Sequence, residues 1–126
     1  MGFSHEKLNV YQKALDFIEF IKNSVPSDLS KQSVIDQLDR AATSIPLNIA
    51  EGTGKYTPKD KCRYYDIARG SALECAACLD ILQKRNIINV KAVEEGKQIL
   101  FEIVSMLIGL IKSSSDRVYE DEIDYK

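Results

Sequence analysis

Histidine occurs once, as His5, and tryptophan is absent. One imidazole near the start of the chain cannot build a Ser-His-Asp triad, nor the paired Glu-x-x-His motifs that hold two metals inside a helical bundle. Cysteine is scarce as well. Cys62, Cys75 and Cys78 are an odd number in a chain whose N-terminus, MGFSHEKLNV, lacks the basic and apolar regions of a signal peptide, which favours reduced thiols over a disulfide framework. Cys75-Ala76-Ala77-Cys78 has the spacing of a redox motif but lies in an alanine-rich helical stretch, away from the exposed helix start that lowers a thiol pKa. The expectation is two reduced, buried thiols, with no metal and no cofactor. Gly52-Thr53-Gly54-Lys55 resembles half of a P-loop, yet it lacks the upstream glycine and follows a helix, so it reads as a helix stop and turn.

Other absences narrow the class. No segment alternates apolar and polar residues over a useful length, which removes the strand signal. Lys and Arg total 17 against 19 Asp and Glu, so the chain lacks the basic excess of a protein that coats nucleic acid indiscriminately. The longest apolar stretch, Ile99 to Ile111, is broken by Glu102 and falls short of the ~20 residues that span a bilayer. Glu6 stands where a myristoylation signal needs Ser or Thr. A cytoplasmic protein with no membrane partner is expected.

What remains is 126 residues, 44% apolar and 29% charged, enough for one domain with its own core. The last twelve residues, Ser115 to Lys126, hold five acids and two bases, leaving 15 bases and 14 acids in the body. Residues 1–114 are therefore expected to form the domain, and 115–126 an acidic, mobile tail. Four segments carry helical spacing. The first is expected from Ser4 to Ser24, stopping ahead of Pro26, with two apolar stripes, Leu8-Tyr11-Leu15-Ile18 and Val10-Ala14-Phe17-Ile21. Ser27 to Ser30 reads as a turn. The second runs from about Ser30 to Glu51, ended by Gly52 and kinked at Pro46. The third starts with Thr57 as cap and Pro58 at the first position and reaches about Arg85; the fourth runs from about Asn89 to the Ser113-Ser114-Ser115 run. Short connections make neighbours antiparallel, so the fold class is all-α, an up-down-up-down four-helix bundle. The double stripe on the first helix exceeds what one bundle seam needs, which predicts a homo-oligomer.

Polar residues inside the second helix are the next signal. Gln37, Arg40, Ser44, Asn48 and Glu51 recur at three- and four-residue steps, either as a solvated face or as a buried interhelical network. Glu51, in the last turn, opposes the helix dipole and calls for a cation such as Arg40, Lys55 or Arg69. Further on, Lys55, Lys59, Lys61, Arg63 and Arg69 meet only Asp60 and Asp66, with Tyr56, Tyr64 and Tyr65 between them. Such a band is either a solvated face anchored by tyrosines or a surface that holds phosphate and stacks bases.

The run Gln37-Leu38-Asp39-Arg40-Ala41-Ala42-Thr43-Ser44-Ile45-Pro46-Leu47-Asn48-Ile49-Ala50-Glu51-Gly52, followed by Ile67-Ala68-Arg69-Gly70-Ser71 and Glu74, closely resembles the 23S rRNA intervening sequence protein family. The likeness runs from Leu8-Asn9-Val10-Tyr11-Gln12-Lys13-Ala14 to Met106-Leu107-Ile108-Gly109-Leu110-Ile111. It implies an antiparallel four-helix bundle, often a pentameric ring, without known catalytic activity; some members are encoded within insertions in large-subunit rRNA genes. It also groups Gln37, Arg40, Ser44, Asn48, Glu51, Ser71 and Glu74 as a polar network. A more distant likeness is to the accessory variability proteins of diversity-generating retroelements, strongly basic pentamers that associate with a reverse transcriptase and nucleic acid; this chain departs from that pattern at Asp39 and Lys61. Two functions follow as expectations: a non-enzymatic, self-assembling scaffold or interaction protein, or a nucleic-acid or ribonucleoprotein accessory using Arg40, Lys55, Lys59, Arg63 and Arg69.

Overall fold

The structure, a computed structural model, describes residues 2–27 and 33–124, with side chains to Ser115. It contains a short 3-10 turn, Ser4–Lys7, and four helices, α1 (Asn9–Ser24), α2 (Ser33–Thr53), α3 (Pro58–Lys84) and α4 (Val90–Asp124). The expected turn at Ser27 to Ser30 and the expected start of the second helix lie outside the described residues from Asp28 onward.

Local chemistry accounts for the boundaries. The first helix does not begin at Ser4. Glu6 turns back to accept the Phe3 N–H at 2.8 Å, closing a 3-10 turn, and Leu8 is extended at φ −82° and ψ 129° before α1 starts. At the start of α3, Thr57 Oγ1 accepts the Asp60 N–H at 3.2 Å and Pro58 occupies the first turn, as expected. Asn86, at φ 60°, makes the left-handed turn after α3, a conformation that asparagine tolerates better than most residues. Asn89 Oδ1 then accepts the Ala92 N–H at 2.8 Å and opens α4. That helix passes through the serine run where an end was expected: Ser114 is buried, and the exposed Ser115 keeps its Oγ 3.6 Å from Cys62 Sγ on α3. The side chains of 116–126, most of the acidic tail, fall outside the described residues.

Pairwise contacts set the topology. Gln37 meets Glu74 and Thr53 meets Tyr65, so α2 and α3 run antiparallel. Cys62 lies by Ile111 and Asp80 by Lys97, which reverses α4 relative to α3. Lys13 pairs with Glu102 while Phe20 lies by Gly96, which reverses α1 relative to α4. The arrangement is the expected antiparallel up-down-up-down bundle.

Phe17, Leu38, Ile45, Ile49, Leu79, Leu82, Ile103 and Leu107 fill its centre with no measurable exposure. Each removes an apolar side chain from water, worth about 1.5–3 kcal/mol before ordering costs. α2 is continuous through Pro46, which is buried. Gly52 does not end α2, because the helix continues to Thr53. Its role is space: a Cβ there would come within 3.0 Å of Tyr64 Cβ and of the Tyr65 ring. Of the two stripes on α1, Val10, Ala14 and Phe17 enter the core, and Leu8, Tyr11 and Ile18 pack half-buried against it, so the surplus foreseen there shrinks to Leu15 at its edge. Val90–Ser115 is long and apolar enough to cross a bilayer by length and composition, unlike the shorter run read from the sequence; its Val93, Leu100, Ile103 and Leu107 face the bundle core.

Candidate functional site

The polar stripe of α2 lies along its seam with α3. Asn48 Nδ2 donates to the Ser44 carbonyl at 2.8 Å and to Ser44 Oγ at 2.9 Å, and Ser44 Oγ lies 2.9 Å from Ser71 Oγ. With Ser44 Oγ accepting from Asn48, its own proton is available to Ser71. At one end, Gln37 Nε2 donates to Glu74 Oε2 at 3.1 Å. At the other, Thr53 Oγ1 bonds the Tyr65 hydroxyl at 3.0 Å, and Lys61 Nζ donates to the Thr53 carbonyl at 2.8 Å, satisfying the last turn of α2. The stripe is therefore divided along its length. Ser44, Asn48 and Ser71 form a half-buried interhelical network, flanked by the exposed Gln37–Glu74 bond. Arg40 and Glu51 stand outside it: Arg40 pairs with Asp36 at 3.2 Å, and Glu51 takes Lys55 as its cation at 3.7 Å. Hydroxyls and amides at this seam exchange hydrogen bonds among themselves. Their arrangement suits fixing the register of α2 on α3, a polar specificity that an aliphatic seam would lack.

The basic band divides similarly. Lys55 Nζ and Arg63 Cζ lie 5.0 and 5.6 Å from the centre of the Tyr64 ring, so both cations rest against one aromatic ring. Arg69 is held by Asp66, its Nε and NH2 donating to Oδ1 at 3.0 and 2.9 Å. Arg40, Lys55 and Arg69 thus each have a carboxylate partner within the chain. Among the described residues Lys59 and Arg63 have no carboxylate within 4.0 Å. Tyr56, in the loop between α2 and α3, is 99% exposed.

Cys75 and Cys78 are buried and free, as expected. Burial pushes the Cys75 thiol up to about 12, with Cys78 and Glu74 adding to the shift, and burial also raises Cys78. A thiol held protonated is a poor nucleophile and a poor metal ligand at neutral pH. Among the described residues no three His, Cys, Asp or Glu side chains gather as a metal site.

One group of residues escaped the sequence reading. Leu73 of α3 and Phe101 and Ile108 of α4 are 50%, 68% and 44% exposed. The signal was present in α4, where Phe101, Val104 and Ile108 repeat at three- and four-residue steps beside the inward stripe of Leu100, Ile103 and Leu107. Gly70, one turn before Leu73, has open space where a Cβ would stand.

With this geometry in place, the comparisons with known proteins agree on the fold. A protein of unknown function from the S23 ribosomal protein family of Bacteroides thetaiotaomicron superposes with a TM-score of 0.71 at 26% identity, over 82% of this chain and 98% of that one. No curated protein matches the chain. The family profile of the 23S rRNA-intervening sequence protein matches residues 6–109, which span all of α1, α2 and α3 and most of α4. The chain belongs to the 23S rRNA-intervening sequence protein family.

Proposed function

We propose that the protein is a self-associating, non-enzymatic four-helix bundle that works as a scaffold or interaction module. The observation that carries this reading is the outer surface of α3 and α4, where Ile67, Leu73, Ile81, Val90, Phe101 and Ile108 are all more than 40% exposed. Single exposed apolar residues are ordinary; Leu73 and Phe101 line one apolar depression between α3 and α4, the kind of patch that association covers. The resemblance noted from the sequence supports a ring of five copies.

The alternative, an accessory protein that binds RNA or DNA, draws on Lys59, Arg63 and the exposed Tyr56. It has less support, because three of its five candidate cations, Arg40, Lys55 and Arg69, already have acidic partners in the chain.

Light scattering after size exclusion, at low and high salt, tests the proposal. Apolar association gives a mass several times 14.2 kDa that persists in 1 M salt, on the order of a 3 Å Debye length. A monomer at micromolar concentration contradicts it. Filter binding of structured RNA and single-stranded DNA across a salt series tests the alternative, since phosphate contacts weaken steeply with salt.

A further inference from the structure

We infer that the acidic end of α4 covers the basic start of α3, so that the chain's own carboxylates screen Lys59 and Arg63 from outside polyanions. This qualifies the nucleic-acid reading above and is independent of self-association. Position comes first. Cys62 Sγ on α3 lies 3.6 Å from both the Ile111 carbonyl and Ser115 Oγ on α4, where the two helices run antiparallel. Beyond that contact α4 continues as helix to Asp124, a further length of about 13 Å at 1.5 Å per residue. In the opposite sense α3 has one turn left, Pro58 to Lys61, before the loop that holds Tyr56. The extension of α4 therefore runs past the first turn of α3.

Charge supplies the reason for contact. The extension carries Asp116, Glu120, Asp121, Glu122 and Asp124 against one base, Arg117. Carboxylates in the last turns of a helix oppose its dipole, and so do cations in the first turns. The start of α3 has that second fault: Lys59, Lys61 and Arg63 stand there with Asp60 as the one acid among them. Each helix end thus carries the charges that its own dipole disfavours, and the two ends lie side by side, so pairing them relieves both. The bases are not equally available. Lys61 donates to the Thr53 carbonyl and Lys55 pairs with Glu51, whereas Lys59 and Arg63 have no carboxylate within 4.0 Å among the described residues. Together with Tyr56, which is 99% exposed, these two cations have the base-and-aromatic composition that takes phosphate chains. An outside polyanion must displace a competitor tethered in the same chain, which acts at high effective concentration.

The test uses the full chain and its binding to a fluorescein-labelled oligothymidylate at low salt, a probe of polyanion access. One variant neutralises the extension isosterically, with Asp116→Asn, Glu120→Gln, Asp121→Asn, Glu122→Gln and Asp124→Asn. A second removes as many charges from exposed residues of α1, α2 and the start of α4, with Asp16→Asn, Glu19→Gln, Asp39→Asn, Glu94→Gln and Glu95→Gln. The two have equal net charge, so a difference between them reports position and not overall attraction. Circular dichroism checks that each stays helical. The first variant is expected to bind about tenfold tighter than both the wild type and the second, and adding Lys59→Glu and Arg63→Glu to it should abolish the gain. Equal affinity of the two neutralised variants overturns the inference, as does a gain that survives Lys59→Glu and Arg63→Glu. If the wild type already binds as tightly as the first variant, the nucleic-acid reading stands and the screen fails. If no variant binds, both fail.

Discussion

Gly96 of α4 lies so close to Phe20 of α1 that a Cβ at position 96 would come within 2.6 Å of the Phe20 ring and within 2.8 Å of Leu79 Cδ1 on α3. The three helices meet at this point because one of them has no side chain there. Gly96→Ala is expected to destabilise the protein by about 1–2 kcal/mol, overpacking outweighing the gain in helix propensity. Gly109, on the same helix, has nothing within 4 Å of its added Cβ, so Gly109→Ala should stabilise by about 0.5–1 kcal/mol. Urea unfolding of the two variants checks the opposite signs.

The Ser44–Ser71 contact is expected to couple α2 to α3. A double-mutant cycle of Ser44→Ala and Ser71→Ala, followed by chemical unfolding, should give a coupling of about 0.5–1.5 kcal/mol. Arg40→Ala, outside the network, should change stability by less than about 0.5 kcal/mol.

Lys13 and Glu102 join α1 to α4 at 2.6 Å. The hydrogen bond from Lys13 lowers the Glu102 carboxyl from its ordinary 4.5, and the bond to Glu102 raises Lys13 from 10.5. A depressed carboxylate pKa means that the folded state binds fewer protons, so this contribution is present above pH 4.5 and fades as pH falls through the lowered folded value. The Lys13 contribution is complete below 10.5 and fades as pH rises through the raised value. Glu102→Gln should therefore be less stable than wild type at pH 7, with the difference narrowing in acid. A difference that widens below pH 4 contradicts the assignment.

Cys75, held protonated by burial, should alkylate in the native state only through opening of the bundle. Iodoacetamide labelling at pH 8 is expected to be slow in buffer and fast in urea. Rapid native labelling would mean that α3 is not packed as described.

Much of this architecture was legible in the sequence, for identifiable reasons. The Thr57-Pro58 start of α3, the helical spacing of α2 and α4, and the burial of Cys75 and Cys78 follow from capping and periodicity, which are local. The break at Leu8 was not, because it depends on Glu6 closing a turn on Phe3. Gly52 looked like a helix stop, since its spatial reason is the tyrosine pair on the next helix. Spacing presents the polar stripe as one row, but ion pairing at Asp36 and Lys55 separates Arg40 and Glu51 from the serines and Asn48. The spacing places excess apolar surface on α1, yet packing against the bundle covers most of it; Leu73, Phe101 and Ile108 of α3 and α4 are exposed instead, and the alanine-rich composition around Leu73 gives no sign of it.

Sedimentation velocity of the full chain over a dilution series from high to low micromolar concentration tests self-association most directly. A single multimeric species is expected, several times 14.2 kDa, that dissociates only on dilution. A species of 14.2 kDa at every concentration would contradict it.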